Sequence, residues 1–406
     1  MEQICEKSLC TGCGACLNAC AKDAIAISEI GACGYTYPVI DQDKCINCGL
    51  CVKVCPVNNP VTLNAPLKAF AAISKDFNDL LSSNSGAASS VMANHILANE
   101  GIVYGCVEEN YCDIAHRRID RQSDAYKIKG SKYVQSNIGF IYREVKRDLN
   151  NGKIVLFTGT PCQIAGLRNY LRKDYANLYL VDLVCHGVPS QKLLQDNVKR
   201  TLKENHITED GTKVVFRKTI KGKSTYCLHL HDKENKEIPL PKKYTSLLEN
   251  DYITGFLSEI ILRENCFSCP YAQSKRNSDI TIADFWGLPQ CSIPQDNGIS
   301  LILANTEKGL QLINAISHMV HIEERPVSEA IKGNGRLQRP GVMPKNKQPF
   351  EELYAKDPEK AYRKYLDDFK KKKQSNLRLA QIKRLINKSK TIKSIFNLLY
   401  KLIKQR

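Results

Sequence analysis

Apolar and polar positions follow three rhythms along the chain. In the first 60 residues, two brief apolar runs, Ala24-Ile25-Ala26-Ile27 and Tyr35-Thr36-Tyr37-Pro38-Val39-Ile40, predict a pair of short strands. Asn58 to Leu67 contains Pro60 and Pro66 and reads as a linker. A second rhythm starts at Ala69: a strand to Ser74, a polar turn from Ser82 to Gly86, a helix of small and apolar residues from Ala87 to Asn99, and a strand from Ile102 to Val107. It resumes with the continuous apolar run Lys153 to Phe157, a buried strand, followed by a helix over Ile164 to Leu171. Thr160 can cap that helix, with Pro161 at its first position. A strand from Leu178 to Val184, a helix to about Glu204 and a strand from Asp279 to Ala283 continue the alternation. The strands ending at Phe157 and Val184, joined by a helix, are expected to run parallel and to share one edge, the edge where ligands bind. The third rhythm belongs to the carboxyl end. Leu377, Leu379, Ile382, Leu385 and Ile386, then Ile392, Ile395, Phe396, Leu399, Leu402 and Ile403, repeat at three- and four-residue spacings and predict amphipathic helix.

Charge sets that end apart. Of the formal net charge of +17, +13 falls between Lys356 and Arg406, where Lys370 to Lys373 form an unbroken run. A basic amphipathic helix can lie on an anionic membrane surface, dock a partner protein, or pack back on its own domain. No nucleic-acid recognition module accompanies the charge, so no nucleic acid is expected. A chain of 406 residues is long enough for two or three domains and a substantial core. Met1 to Leu9 has no apolar signal-peptide core, and no stretch approaches the roughly 18 apolar residues of a membrane span. Eighteen cysteines in a chain of this length point to a reducing compartment rather than a disulfide scaffold. The expected location is the cytoplasm, peripheral at the inner face of the membrane if the tail docks there.

Eight of those cysteines carry the strongest signal. The spacing C-x2-C-x2-C-x3-C occurs twice, at Cys10, Cys13, Cys16, Cys20 and at Cys45, Cys48, Cys51, Cys55. In a two-cluster ferredoxin the first three cysteines of each run hold one cubane and the fourth crosses to the other. That assigns Cys10, Cys13, Cys16 and Cys55 to one 4Fe-4S cluster, and Cys45, Cys48, Cys51 and Cys20 to the second. Gly12, Gly14 and Gly49 suit the tight backbone coil that turns three thiolates inward. Zinc, the competing reading, closes its shell with four ligands and has no use for two complete runs. Cys5 and Cys33 read as spare or buried thiols.

Further cysteines follow strands of the second rhythm: Cys162 in Gly159-Thr160-Pro161-Cys162-Gln163, Cys185 in Cys185-His186-Gly187, and the pair Cys266 and Cys269 ahead of the strand near Asp279. Four thiolates brought together would make a third 4Fe-4S cluster; a buried cysteine pair or structural zinc is the alternative. The loop Ser82 to Gly86 opens a helix and could face an anion, as could Gly130 to Ser136 with Lys132; each could equally be a simple cap or surface turn. His229 and His231 share a strand face without a third ligand. Asp279 and Asp284 bracket a strand and read as solvated turn carboxylates.

In order, the two ferredoxin runs, S-G-A-A-S-S, G-S-K-Y-V-Q-S, G-T-P-C-Q-I-A-G-L, V-C-H-G-V-P-S, C-F-S-C-P-Y and A-D-F-W-G resemble the beta subunit family of coenzyme F-420 hydrogenases and dehydrogenases. The resemblance runs from about Ile4 to Thr306 and is nearest to a bacterial branch with an amino-terminal ferredoxin, often linked to cell-surface polysaccharide loci. It implies a ferredoxin domain (1–60), the first part of the beta-subunit region (61–150), a flavin- and cluster-bearing part (151–345) and a basic helical tail (346–406), the whole α/β and, counted together, α+β. It also implies a third cluster on Cys162, Cys185, Cys266 and Cys269 and an FAD contacted by Ser85, Gly86, Ser131, Lys132, Thr158, Gly159 and Thr160. No G-x-G-x-x-G follows a strand, so the flavin pocket is not the usual dinucleotide fold. The expected activity is that of an oxidoreductase in which clusters pass single electrons and the flavin exchanges a hydride or electron pair with a soluble carrier or substrate. Lys132 would steady negative charge there, and His186 is either a proton donor or a hydrogen-bond donor beside a cysteine ligand. The other readings are a non-catalytic electron-transfer subunit serving a redox partner protein and an accessory of envelope polysaccharide assembly.

Overall fold

The computed structural model describes residues 2–109, 111–208, 211–220, 223–294 and 298–388. Strands β1 (Ile25–Ile30) and β2 (Tyr35–Ile40) pair antiparallel, with Ile25 opposite Ile40 and Ile30 opposite Tyr35, where the two short apolar runs predict them. Two one-turn helices, Ala15–Ala19 and Leu50–Lys53, flank the pair. Each is entered through a glycine in the left-handed region, Gly14 at φ 77° and Gly49 at φ 73°, so the two cysteine runs share one backbone path.

The second rhythm folds into one mixed sheet. Its strands are β3 (Lys68–Ser74), β4 (Ile102–Glu108), β5 (Ile114–Ile119), β6 (Val155–Gly159) and β7 (Leu178–Leu183). After a separate hairpin of β8 (Lys213–Ile220) and β9 (Lys223–His231), it is completed by β10 (Ile280–Asp284), β11 (Ser300–Ala304) and β12 (Val320–Arg325). The order is β12-β3-β11-β10-β7-β6-β4-β5. Strands β4, β6, β7 and β10 run parallel, which puts their carboxyl ends, Glu108, Gly159, Leu183 and Asp284, on one edge. The boundary expected near residue 150 falls inside this sheet, which takes strands from both sides of it.

Alternation along the strands separates two apolar layers. Ala72, Val103, Leu156, Val181 and Ile302 meet the helix Ala88–Ala98 and the helix Glu307–Ile316. Tyr104, Phe157, Leu178 and Leu180 meet the helices Ile141–Asn150 and Pro161–Leu171 on the opposite face. Cys13, Ala15, Ala19 and Val54 enter that second layer, so the ferredoxin segment docks on the sheet's own helices. Arg143 fastens the joint by donating to the carbonyls of Leu17, Asn18 and Cys20.

The first part of the carboxyl-terminal region packs back on its own domain, one of the readings open for the basic tail. Phe350 and Tyr354 of the helix Lys347–Tyr354, and Ala361, Tyr362 and Leu366 of the helix Pro358–Lys388, are buried against Tyr252, Ile253 and Phe256. Lys370 reaches Asp251 at 3.1 Å. Apolar side chains on one helical face drive this packing, and they lie ahead of the positions from which the amphipathic tail is predicted. The side chains of Leu377 and of Ile382 onward lie outside the described residues. Among the described residues no helix is long and apolar enough to cross a membrane.

Candidate electron-transfer site

Seven of the eight cysteines of the two runs sort into two groups. Cys10, Cys13, Cys16 and Cys55 line one cavity, with Thr11, Gly12 and Cys5 on its wall. Cys20 lies with Cys48 and Cys51: burial, then the charges of Cys48 and Cys20, push the Cys51 thiol up. The fourth cysteine of each run therefore sits with the other run. Cys5 turns out to be a fifth thiol at the inner cavity. Its hydrogen bonds hold Cys10 down to about 6 and Cys55 down to about 7, and Arg263 adds to the effect at Cys10. Burial pushes Cys13 up to about 12 and Cys16 upward as well, so a group that binds thiolate must displace those protons. Among the described residues no three His, Cys, Asp or Glu side chains close on a single ion. Four sulfurs spaced around a cavity, rather than closed on one ion at the Zn–S distance of about 2.3 Å, fit a cubane.

A third group forms at the sheet edge. Thr158 pairs with Val181 and Gly159 with Asp182, so the chain leaves β6 and β7 side by side and brings Cys162 and Cys185 into neighbouring turns. Thr160 and Gln163 form a capping box that fixes Cys162 on the first turn of its helix. Gly187 sits at φ 122°, and a Cβ there would stand 2.7 Å from Leu262 and 3.3 Å from Cys266; glycine lets the two turns meet. The buried pair Arg276–Asp182, at 2.7 Å, brings in the C-x-x-C segment, since Arg276 also donates to the Tyr271 carbonyl at 2.8 Å. Asn277 donates to the Pro161 carbonyl at 3.0 Å. Cys162, Cys185, Cys266 and Cys269 thereby line one cavity, joined by His186 and Arg336. Burial pushes Cys162 up to about 11 and Cys266 up to about 12, and raises Cys185 and Cys269 too.

The two cavities adjoin. Thr11 lines both, and a Cβ on Gly166 of the Cys162 helix would stand 3.0 Å from the Sγ of Cys13. The Tyr142 hydroxyl lies 2.8 Å from the carbonyls of both Cys13 and Gln163.

The residues expected at a flavin divide into two sets. Asn84 donates to Ser131 Oγ at 2.9 Å, bringing the two polar loops together. Ser83 Oγ and Ser85 Oγ are buried without a hydrogen-bond partner. Lys132 donates to the carbonyls of Lys127 and Lys129, and burial lowers its pKa. The others are also engaged within the fold. Gly86 is pressed onto β3, where a Cβ would lie 2.1 Å from the Ala72 carbonyl oxygen, and its N–H donates to Ser300. Thr158 donates to the Tyr104 carbonyl and accepts from His116 at its own; Gly159 is buried, and Thr160 caps its helix within 3.2 Å of Cys162 Sγ. His186 packs against Phe256 with the rings tilted by 55° and its Nε2 3.3 Å from the Phe256 carbonyl, and burial, then Arg336, lowers its pKa.

Neither acidic residue near β10 is a solvated turn carboxylate. Asp279 is buried and accepts from Leu180 N–H and Thr306 Oγ1, while Asp284 pairs with Arg217 at 2.8 Å; both close strand ends that would otherwise leave donors unmet. His229 is paired with Glu237 and His231 lies against the Asn235 carbonyl, so the two do not converge. The residues missed from sequence, Tyr142, Arg263, Arg276 and Asn277, act between segments distant in the chain, and only the C-x-x-C neighbourhood of the last three hinted at them.

Residues 152–330 match the family that covers the carboxyl-terminal part of the coenzyme F420 hydrogenase/dehydrogenase beta subunit. That stretch is similar to the beta-subunit family. Ahead of it, residues 9–59 match a 4Fe-4S dicluster domain, and a second dicluster profile matches residues 37–113. The beta-subunit region thus carries an iron-sulfur electron-transfer module at its amino end. Among solved structures, a chain of the F420-reducing [NiFe] hydrogenase complex from Methanosarcina barkeri is similar at 17% identity and a TM-score of 0.40, over 74% of this chain and 91% of that one. No curated protein matches.

Proposed function

We propose that the chain is an iron-sulfur flavoprotein oxidoreductase in which electrons pass between the ferredoxin clusters, a third 4Fe-4S cluster and FAD. The observation that carries this reading is the shared wall of the two cavities, with Thr11 on both and Cys13 against Gly166. Cys162, Cys185, Cys266 and Cys269 would hold the third cluster. Ser83, Ser85, Ser131 and Lys132 suit the anionic part of the flavin: two buried hydroxyls lack partners, and Lys132 follows Ser131, which Asn84 joins to their loop. When bound, FAD supplies the conversion between single electrons and an electron pair. The chain's own residues set the conditions. Thr160 and Gln163 fix Cys162, Arg276 fixes the C-x-x-C turn, and His186, in the cavity wall, is held by Phe256 and positions the Cys185 turn. A redox partner protein or soluble carrier is expected at the far end, where Cys48 is exposed.

Protein purified without oxygen tests the proposal through iron, sulfide and flavin stoichiometry. Three clusters give about twelve irons per chain, and the flavin should be present at one per chain. About eight irons and no flavin would leave the second reading, a non-catalytic electron-transfer subunit, which the internal engagement of Gly86 and Thr158 favours.

A further inference from the structure

Among the described residues two arginines are buried to within 2% exposure, and they are treated very differently. Arg276 is neutralised by Asp182 at 2.7 Å. Arg263, 1% exposed, reaches the Cys10 carbonyl through Nε at 2.9 Å and Gln135 Oε1 at 3.3 Å, and its guanidinium lies 4.3 Å from the Tyr37 ring. None of these is an anion, and its Nη2 has no hydrogen-bond partner. A buried, unpaired cation is expensive, so a negative charge is expected beside it. What surrounds Arg263 is cysteine. Cys10 lies on one side, its carbonyl on the guanidinium, and Cys266 on the other, its N–H donating to the Arg263 backbone carbonyl at 3.0 Å. Gly12 admits it, since a Cβ there would stand 3.3 Å from Arg263 Nη1.

We propose that Arg263 is the counter-cation shared by two adjoining iron-sulfur sites, the inner ferredoxin cluster and the third cluster, and that its charge makes both easier to reduce. A cubane with four thiolates is net negative, and each one-electron reduction adds one more negative charge, which a fixed cation in a dry interior stabilises. Arg263 touches no substrate; it acts as a positioning residue through the clusters. The half of the inference that concerns the third cluster rests on the three-cluster reading; the half that concerns Cys10 does not.

The test is a redox titration followed by electron paramagnetic resonance on anaerobically prepared holoprotein, wild type against Arg263→Gln and Arg263→Lys, with iron counted in each. With iron retained, Arg263→Gln should lower the midpoint potential of two clusters by at least a tenfold change in the reduction equilibrium, about 59 mV for a one-electron couple. The cluster on Cys45, Cys48, Cys51 and Cys20 should not move, and Arg263→Lys should stay near wild type. Loss of iron in the glutamine variant but not the lysine variant also supports a role for the charge. Unchanged potentials with full iron, or iron lost equally from both variants, would overturn the proposal. Eight irons in the wild type with one shifted cluster would remove the third cluster and leave Arg263 acting on the inner one.

Discussion

Cys10, Cys13, Cys16 and the crossing Cys55 lie inside the molecule apart from a fringe, whereas Cys48 is exposed and Cys20, Cys45 and Cys51 are half-buried. The spacing is identical and the backbone nearly so: Gly12 at φ 65° and its counterpart Asn47 at φ 54° are both left-handed. The difference lies in the residues between the cysteines. Thr11 and Asn18 are buried, and Asn18 donates to the carbonyls of Gly14 and Gly139, while their counterparts are Ile46, 63% exposed, and Lys53. The helix Ala15–Ala19 is buried throughout; the helix Leu50–Lys53 buries no residue. One motif thus makes two sites of opposite standing, an outer one that a partner can reach and an inner one wired to the sheet.

The largest break in that comparison comes from removing one ligand on each side. Cys48→Ser and Cys13→Ser should each lose about four irons. Thermal unfolding should separate them: Cys13→Ser also leaves a hydroxyl in the packed joint with Gly166 and Tyr142, costing about 1–3 kcal/mol beyond the cluster, while Cys48→Ser leaves the body's melting temperature nearly unchanged. Equal destabilisation would mean that the halves are energetically alike. An exchange at the matched left-handed positions is next in size. Gly12→Asn drives a Cβ to within 2.6 Å of Gln135 Nε2 and toward Arg263, and should cost about 1–3 kcal/mol with loss of inner iron. Asn47→Gly, at a position that is already left-handed, should cost under about 1 kcal/mol and keep its iron. Denaturant melts with iron counts on both variants would show the asymmetry or remove it.

The legible parts of the molecule were those written in local spacing. Cysteine runs, strand alternation and the Thr160-Pro161 helix start depend on neighbours within a few residues, and all are found where the pattern put them. The meeting of Cys162 with Cys185 was readable too, because parallel strands dictate which ends are adjacent. What could not be read depends on the fold closing. Asp279 looked solvated until Leu180 and Thr306 were brought to it, and Gly86, attractive as a helix opening, is held against the Ala72 carbonyl. Phe350 and Tyr362 were hidden by a composition dominated by lysine. The inner or outer standing of each cluster likewise depends on the docking surface, to which Arg143 and Tyr142 contribute from a segment about 130 residues downstream of Cys13.

Acid offers a smaller test of the inner side, because residues 1–60 contain no histidine while His116 stands behind the sheet edge that leads to Cys162. Its ring stacks on Phe157, with Nε2 against the Thr158 carbonyl and Nδ1 against Ser136 Oγ, each at 2.9 Å. Burial pushes its pKa down to about 4. A depressed histidine contributes stability that is present above its unfolded value of about 6.5 and is lost as pH falls through the folded value near 4. The difference in melting temperature between wild type and His116→Asn should therefore shrink from pH 7 to pH 4, by an amount corresponding to about 2–3 kcal/mol. A difference that stays flat over that range would show that His116 does not couple the edge to pH.

The smallest effect is expected at the outer site, and it differs in kind. Lys44 and Asp41 form an exposed pair at 3.1 Å immediately before Cys45. Such a pair adds little to folding, because water screens it and two mobile side chains must be held still. A charge next to the exposed cluster instead acts on approach: it steers a charged donor during encounter and leaves the docked geometry alone. Lys44→Glu should leave thermal unfolding and iron content unchanged while altering the rate of reduction by a charged electron donor, an effect that vanishes at high salt. If the substitution changes stability but not that salt-dependent rate, the outer site is part of the packed body and the contrast between the two halves fails.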